Sequence, residues 1–236
     1  MSTTKINYLA VLFLILTVNV WAQNTPPKQR TIVLSNAGKP YQLDIKLYQG
    51  KIKVTGYEGK NIIMESEGKV SVHADETDNK VTVSTGFMND EITVKLKVPR
   101  NNGALKLGIL NKGSVEVTDF TGEIETSNVN GGIILTGISG SAMATTVTGD
   151  IIIKFSKVVS DKPMAFSNLS GKIDITYPAN TNASLRLKSD NGKIISDFKI
   201  SAPSGVGESQ YIKINGGGSE TLIKNMFGDI FVRKAQ

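Results

Sequence analysis

Three observations predict an all-β chain folded as a single-domain β-solenoid, parallel β-helix-like, with coils of roughly 18–22 residues. First, Gly113, Gly122, Gly131, Gly140 and Gly149 follow one another at nine-residue steps, and Gly171, Gly192 and Gly228 continue the series more loosely. Second, the second and fourth positions after these glycines are Ile, Val or Leu at 12 of 16 places, the exceptions being Thr126, Ala142, Ala144 and Ser196. Third, the residue directly after the glycine is never large and apolar: Ser114, Glu123, Gly132, Ser141, Asp150, Lys172, Lys193 and Asp229. Alternation over four or five residues is strand spacing, since successive side chains point to opposite faces. A glycine ahead of each run is turn chemistry. An antiparallel β-sandwich is the alternative; the constant step and the in-register glycines favour the solenoid.

Taken in order, residues 1–22 have the layout of a cleaved signal peptide. Lys5 is the short positive region, Ile6 to Val18 is almost wholly apolar, and Val20-Trp21-Ala22 places small residues before a cut at Gln23. The apolar run is shorter than the roughly 20 residues that span a bilayer, so export with no membrane span after cleavage is expected. Residues 23–30 (QNTPPKQR) form an expected flexible leader, and residues 31–236 the domain. Tyr41–Tyr48 and Lys51–Thr55 alternate cleanly, and Asn61–Glu65, Lys69–His73 and Lys80–Ser84 are shorter runs. Asp75–Asn79 (DETDN) reads as an acidic turn, and Glu91–Val98 is the longest alternating segment, ending at Pro99. The glycine series follows. Ser156–Met164, broken by Pro163, reads as a loop. Two nine-residue steps make one coil, so Val115, Ile133, Ile151, Ile173 and Ile194 are expected to stack into one inner wall.

The chain has no cysteine, which excludes disulfides, thiolate metal sites and a cysteine nucleophile; packing alone must hold an exported protein of this size together. The formal net charge of +6 falls to +5 once the signal and its single lysine are removed. The lysines are scattered at alternate strand positions (Lys46, Lys51, Lys53, Lys95, Lys97), which reads as a solvated face and not a nucleic-acid patch.

The run GSVEVTDFTGEIETSNVNGGIILTGISG, then TVTGDIII, then SGKIDITYPANTNASLRLKSDNGKI resembles the bacterial candidate-adhesin domain built from β-strand repeats, a domain of unknown function. It is similar also to the head domain assigned to auto-transporter adhesins. The turns Asn130-Gly131, Thr148-Gly149 and Asn191-Gly192 and the steps Val98-Pro99 and Tyr177-Pro178 carry the likeness, over about Gln42 to Arg233. The resemblance implies an exported β-solenoid with an adhesive or scaffolding role, and it brings no catalytic residues with it.

Nothing in the residues specifies a chemistry, so no catalytic, cofactor-binding or metal site is expected. His73 is the only histidine, which excludes a histidine-based triad or a two-histidine metal site within one chain. Glu123 with Glu125, and Asp150 with Asp229, are the carboxylate pairs a polysaccharide-cutting β-helix would use; they equally suit a solvated face. Gly131-Gly132 and Gly216–Gly218 lack the following glycine and aspartate of a calcium nonapeptide. The third position after the glycine should face outward yet holds Ile134, Met143, Ile152, Ile195 and Phe231. Ile134, Ile152 and Ile195 are therefore expected along one outer face, as a partner-contact or self-association stripe or as residues covered by a loop or the N-terminal strands. The expected function is a non-catalytic, exported adhesin-like or cell-envelope scaffold module contacting a protein or glycan of the periplasm, outer membrane or cell surface. The alternatives are a polysaccharide-binding or polysaccharide-acting β-helix and a partner in envelope stress signalling.

Overall fold

The computed structural model describes residues 28–69, 71–85, 90–158, 162–201 and 209–236. The expected signal peptide and residues 23–27 of the leader lie outside these. Among the described residues all regular structure is β. The repeating unit is a coil of two strands, joined near a corner glycine wherever the joining residues are among those described. β2 (Tyr41–Leu47) with β3 (Gly50–Tyr57) and β6 (Lys80–Thr85) with β7 (Ile92–Pro99) make the first two coils. β8 (Gly103–Thr118) supplies both strands of the third, its halves pairing with β2 and β3. β9 (Thr121–Asn130) and the first half of β10 (Ile133–Thr148) form the fourth, and the rest of β10 with β11 (Ile151–Lys157) the fifth. β12 (Met164–Ser170) with β13 (Ile173–Tyr177), β14 (Ala183–Asn191) with β15 (Ile194–Ser196), and β18 (Glu220–Phe227) with β19 (Ile230–Lys234) complete the series.

The coils stack in parallel into two walls. The front wall runs β7, β3, β8, β10, β11, β13, β19, β15. The back wall runs β6, β2, β8, β9, β10, β12, β18, β14. The nine-residue step is half a coil, so successive glycines take opposite corners. The expected inner row is present with one correction: Ile173 pairs with Ile230, and Ile230 in turn with Ile194. The far side of β14 is occupied by β17 (Gln210–Ile214), which pairs with it antiparallel. The returning chain therefore enters between β12 and β14. Val115, Ile133, Ile151, Ile173 and Ile230 are fully buried, each contributing about 1.5–3 kcal/mol. Ile194, on the last rung, is half-buried.

Among the described residues, antiparallel strands occur only at the ends of the stack. There β4 (Ile62–Glu67) lies on β7, β1 (Lys28–Ile32) on β4, and β5 (Val72–Thr77) on β6, while β16 (Ile200–Ser201) lies on β17. They cover wall edges that would otherwise present unpaired backbone groups. β1 takes in Lys28, Gln29 and Arg30 of the expected leader. The expected acidic turn shrinks to Asp78-Asn79, both at positive φ (52° and 61°), because Asp75–Thr77 pair with Lys80–Thr82 in a tight hairpin.

Each corner is bonded to the one beneath it. At Gly131 (φ 141°) a Cβ would sit 1.7 Å from the Gly113 carbonyl oxygen, so only glycine lets the coils approach. Three residues before a corner glycine sits a side chain that donates to the glycine carbonyl one coil away. Asn128 Nδ2 reaches Gly113 O at 2.8 Å, Thr146 Oγ1 Gly131 O at 3.0 Å and Asn168 Nδ2 Gly149 O at 2.7 Å. Asn225 Nδ2 reaches Gly171 O at 2.7 Å and Ser189 Oγ Gly228 O at 3.1 Å. This buried polar column satisfies carbonyls that the turn removes from the ladder.

Candidate binding faces of the solenoid

Side chains that alternate with the core form the outer faces. On the front wall the central outward row reads Lys95, Lys53, Glu116, Ile134, Ile152, Asp174, Phe231, Ile195. The three isoleucines expected on one outer face do share a row. Ile134 and Ile152 are neighbours, whereas Asp174 and Phe231 separate them from Ile195. Ile134 is 39% and Ile195 44% exposed, and Ile152 is half-buried. The N-terminal strands do not cover them, because those strands cap the end of the stack. Charges elsewhere in this row are paired: Lys53 with Glu116 at 2.9 Å, Lys95 with Glu67 at 2.5 Å, and Arg233 with Asp174 at 2.8 Å. The Arg233 guanidinium also lies 4.9 Å from the centre of the Phe231 ring. Its hydrogen bond to Asp174 strengthens its hold on its proton, as the bond to Glu67 does for Lys95.

The back wall carries a different surface. Its central outward row reads Thr82, Asp44, Lys106, Glu125, Met143, Ala165, Leu222, Arg186. Beside it run Ser127, Thr145, Ser167, Lys224 and Lys188, and nearest the corner Val129, Val147, Leu169 and Met226. The large apolar members are open to solvent, from Val129 at 37% to Met143 at 47%, and Ala165 is half-buried. Over the two coils bearing Met143–Val147 and Ala165–Leu169 this face has no charged side chain. The stripe nearest the corner is absent from the sequence-based expectations. Its signal is an apolar residue two places before the glycine, as in Val129-Asn-Gly131, Val147-Thr-Gly149, Leu169-Ser-Gly171 and Met226-Phe-Gly228. The amide column is legible in the same way, one place earlier.

Of the carboxylate pairs, Glu123 and Glu125 share one groove, each held in an ion pair, whereas Asp150 and Asp229 sit at separate corners. Glu123 and Glu125 project from β9 into a groove of about 340 Å³ shared with Gln42, Lys106, Ser141 and Lys162. Glu125 pairs with Lys106 at 3.3 Å and Glu123 with Lys162. Asp150 and Asp229 brace front-wall corners, their Oδ1 atoms accepting the backbone N–H of Lys172 at 3.0 Å and of Lys193 at 2.8 Å. His73 lies exposed on β5, opposite Ser84. Among the described residues no three histidine or carboxylate side chains gather as a metal site would need.

The architecture defined by these walls is a β-solenoid, and its repeats have known counterparts. Residues 106–233 match the Toastrack DUF4097 family, and the chain belongs to it. This bears out the resemblance to the β-strand-repeat adhesin candidates. Among solved structures, a candidate cell-adhesion protein from Clostridium sporogenes is 11% identical, with a TM-score of 0.47, over 89% of this chain and 100% of that one. A candidate adhesin from Bacteroides fragilis is 12% identical (TM-score 0.37; 88% of this chain, 97% of that one). Another, from Parabacteroides merdae, is 11% identical (TM-score 0.29; 90% and 98%). No curated protein matches the chain.

Proposed function

We propose that the protein is a non-catalytic, exported, adhesin-like scaffold module of the cell envelope that works by rigid display. The observation that carries this reading is the front-wall row. Ile134, exposed, and Ile152, half-buried, stand side by side and outward on strands whose inner side chains and corner glycines are both locked. An apolar pair held on a rigid ladder loses little entropy when a partner covers it, and isolated apolar pairs bounded by ion pairs suit contact with an envelope protein or glycan. Phe231 and Ile195 extend the surface beyond Asp174. Membership of the Toastrack family and the signal-like first 22 residues support the envelope setting.

The test compares the chain with its Ile134→Asp/Ile152→Asp variant. The variant is expected to keep its circular dichroism spectrum and cooperative melt, since both side chains point outward. It is expected to lose at least about tenfold in retention of the envelope fraction that the unmodified chain captures. Undiminished capture by the folded variant contradicts the assignment of this face.

A further inference from the structure

We infer that the back wall's outer face is the interface of a two-fold dimer, the occupant being a second copy of this chain. The central row between Glu125 and Arg186 is self-complementary. A two-fold axis in the contact plane, parallel to β12, keeps each position along the strand and reverses the order of the coils. Centred on β12, it sets Leu169 against Leu169 and Ala165 against Ala165 of the second copy. Met143 then meets Leu222, and Val147 meets Met226. At both ends Glu125 meets Arg186, the acid and the base lying equally far from the centre, two coils to either side. Lys224 and Lys188 fall against Thr145 and Ser127, whose hydroxyls can accept from them. In the single chain Glu125 pairs with Lys106, side chains 50% and 47% exposed, and Arg186 donates to Ser209; solvent-exposed partners of this kind exchange at small cost.

Five coils at about 4.8 Å and the three outward rows at about 6.8 Å give ~490 Å² per copy, or ~980 Å² in total, the size of a weak, reversible interface. A charge-depleted centre with a charged rim is the usual interface anatomy. On the front wall the uncharged centre is narrower, because Glu116 and Asp174, each paired, flank its two neighbouring isoleucines. Back-to-back pairing leaves both front walls outward, so one dimer displays two copies of the row of Ile134 and Ile152 and gains avidity on a surface carrying repeated partners. The inference does not depend on what that row binds.

Sedimentation equilibrium of the full chain is expected to give twice the 25.4 kDa chain mass, or twice the mass left after leader removal. Leu169→Lys puts two like charges on the axis and is expected to raise the dimer Kd about 100-fold or more. Leu169 is 41% exposed, so the melt should be unchanged. Glu125→Arg and Arg186→Glu should each weaken the dimer by about tenfold, and the two together should restore it. Ile134→Asp/Ile152→Asp, on the other wall, should leave the dimer intact. A monomer at every concentration up to about 100 μM, a dimer indifferent to Leu169→Lys, or charge reversals without mutual rescue would each overturn the inference.

Discussion

Asn168 shows how a single side chain fixes the spacing of two coils. Its Nδ2 donates to Gly149 O at 2.7 Å, its Oδ1 accepts the N–H of Ser170 at 3.1 Å, and it is 3% exposed. Asn168→Ala leaves a part-buried carbonyl and a part-buried N–H short of partners, which costs about 1 kcal/mol; urea unfolding should read this as a lower midpoint at constant m. Gly131→Ala forces a Cβ to within 1.7 Å of the Gly113 oxygen and should destabilise by about 3 kcal/mol or prevent folding. Gly38→Ala, with nothing within 4 Å, should change stability by less than about 0.5 kcal/mol. Tyr177 is fully buried, and burial pushes its phenol well above the ordinary range. The folded state therefore binds this proton more tightly than the unfolded state. The stabilisation is complete below about pH 10, the unfolded value, and is lost as pH rises toward the folded one. Tyr177→Phe should accordingly move the alkaline unfolding midpoint upward, followed by near-ultraviolet circular dichroism.

At the scale of elements, inner and outer faces were legible because the period of two and the glycine corners repeat together. Ile133, Ile151 and Ile173 are buried where the alternation puts them. The order of the coils was not legible. Ile230 and Val232 follow Gly228 as Ile194 and Ser196 follow Gly192, so the pattern says which side chains face inward and not which coil lies next to which. That order depends on β17, whose antiparallel pairing with β14 fills one side of the last coil. The outer stripe of Val129, Val147, Leu169 and Met226 escaped for a related reason: counting forward from each glycine never reaches the residue two places before it. Removing residues 220–236 takes away the rungs that join β12 to β14 and β13 to β15. Amides of Ala183–Ser196 should then lose protection in hydrogen-exchange mass spectrometry, while those of β8–β10 keep it.

The whole molecule is a parallel stack with antiparallel ends and two unlike sides. The front side carries a short apolar row set among ion pairs, and the back side an apolar field free of charge over two coils, with Glu125 on one side of it and Lys224, Lys188 and Arg186 on the other. Both surfaces depend on the register of the stack, because a slip of one residue would exchange core and surface on every rung. The chain has no cysteine, so introduced pairs report that register without background. Phe231 and Ile195 are in-register neighbours, about 4.8 Å apart and within disulfide reach, whereas Asp174 and Ile195 lie two rungs, or ~9.6 Å, apart. Under mild oxidation the Phe231→Cys/Ile195→Cys chain should crosslink quantitatively, and the Asp174→Cys/Ile195→Cys chain should stay reduced. Crosslinking of the second pair and not the first would place the coils in simple chain order and contradict the account.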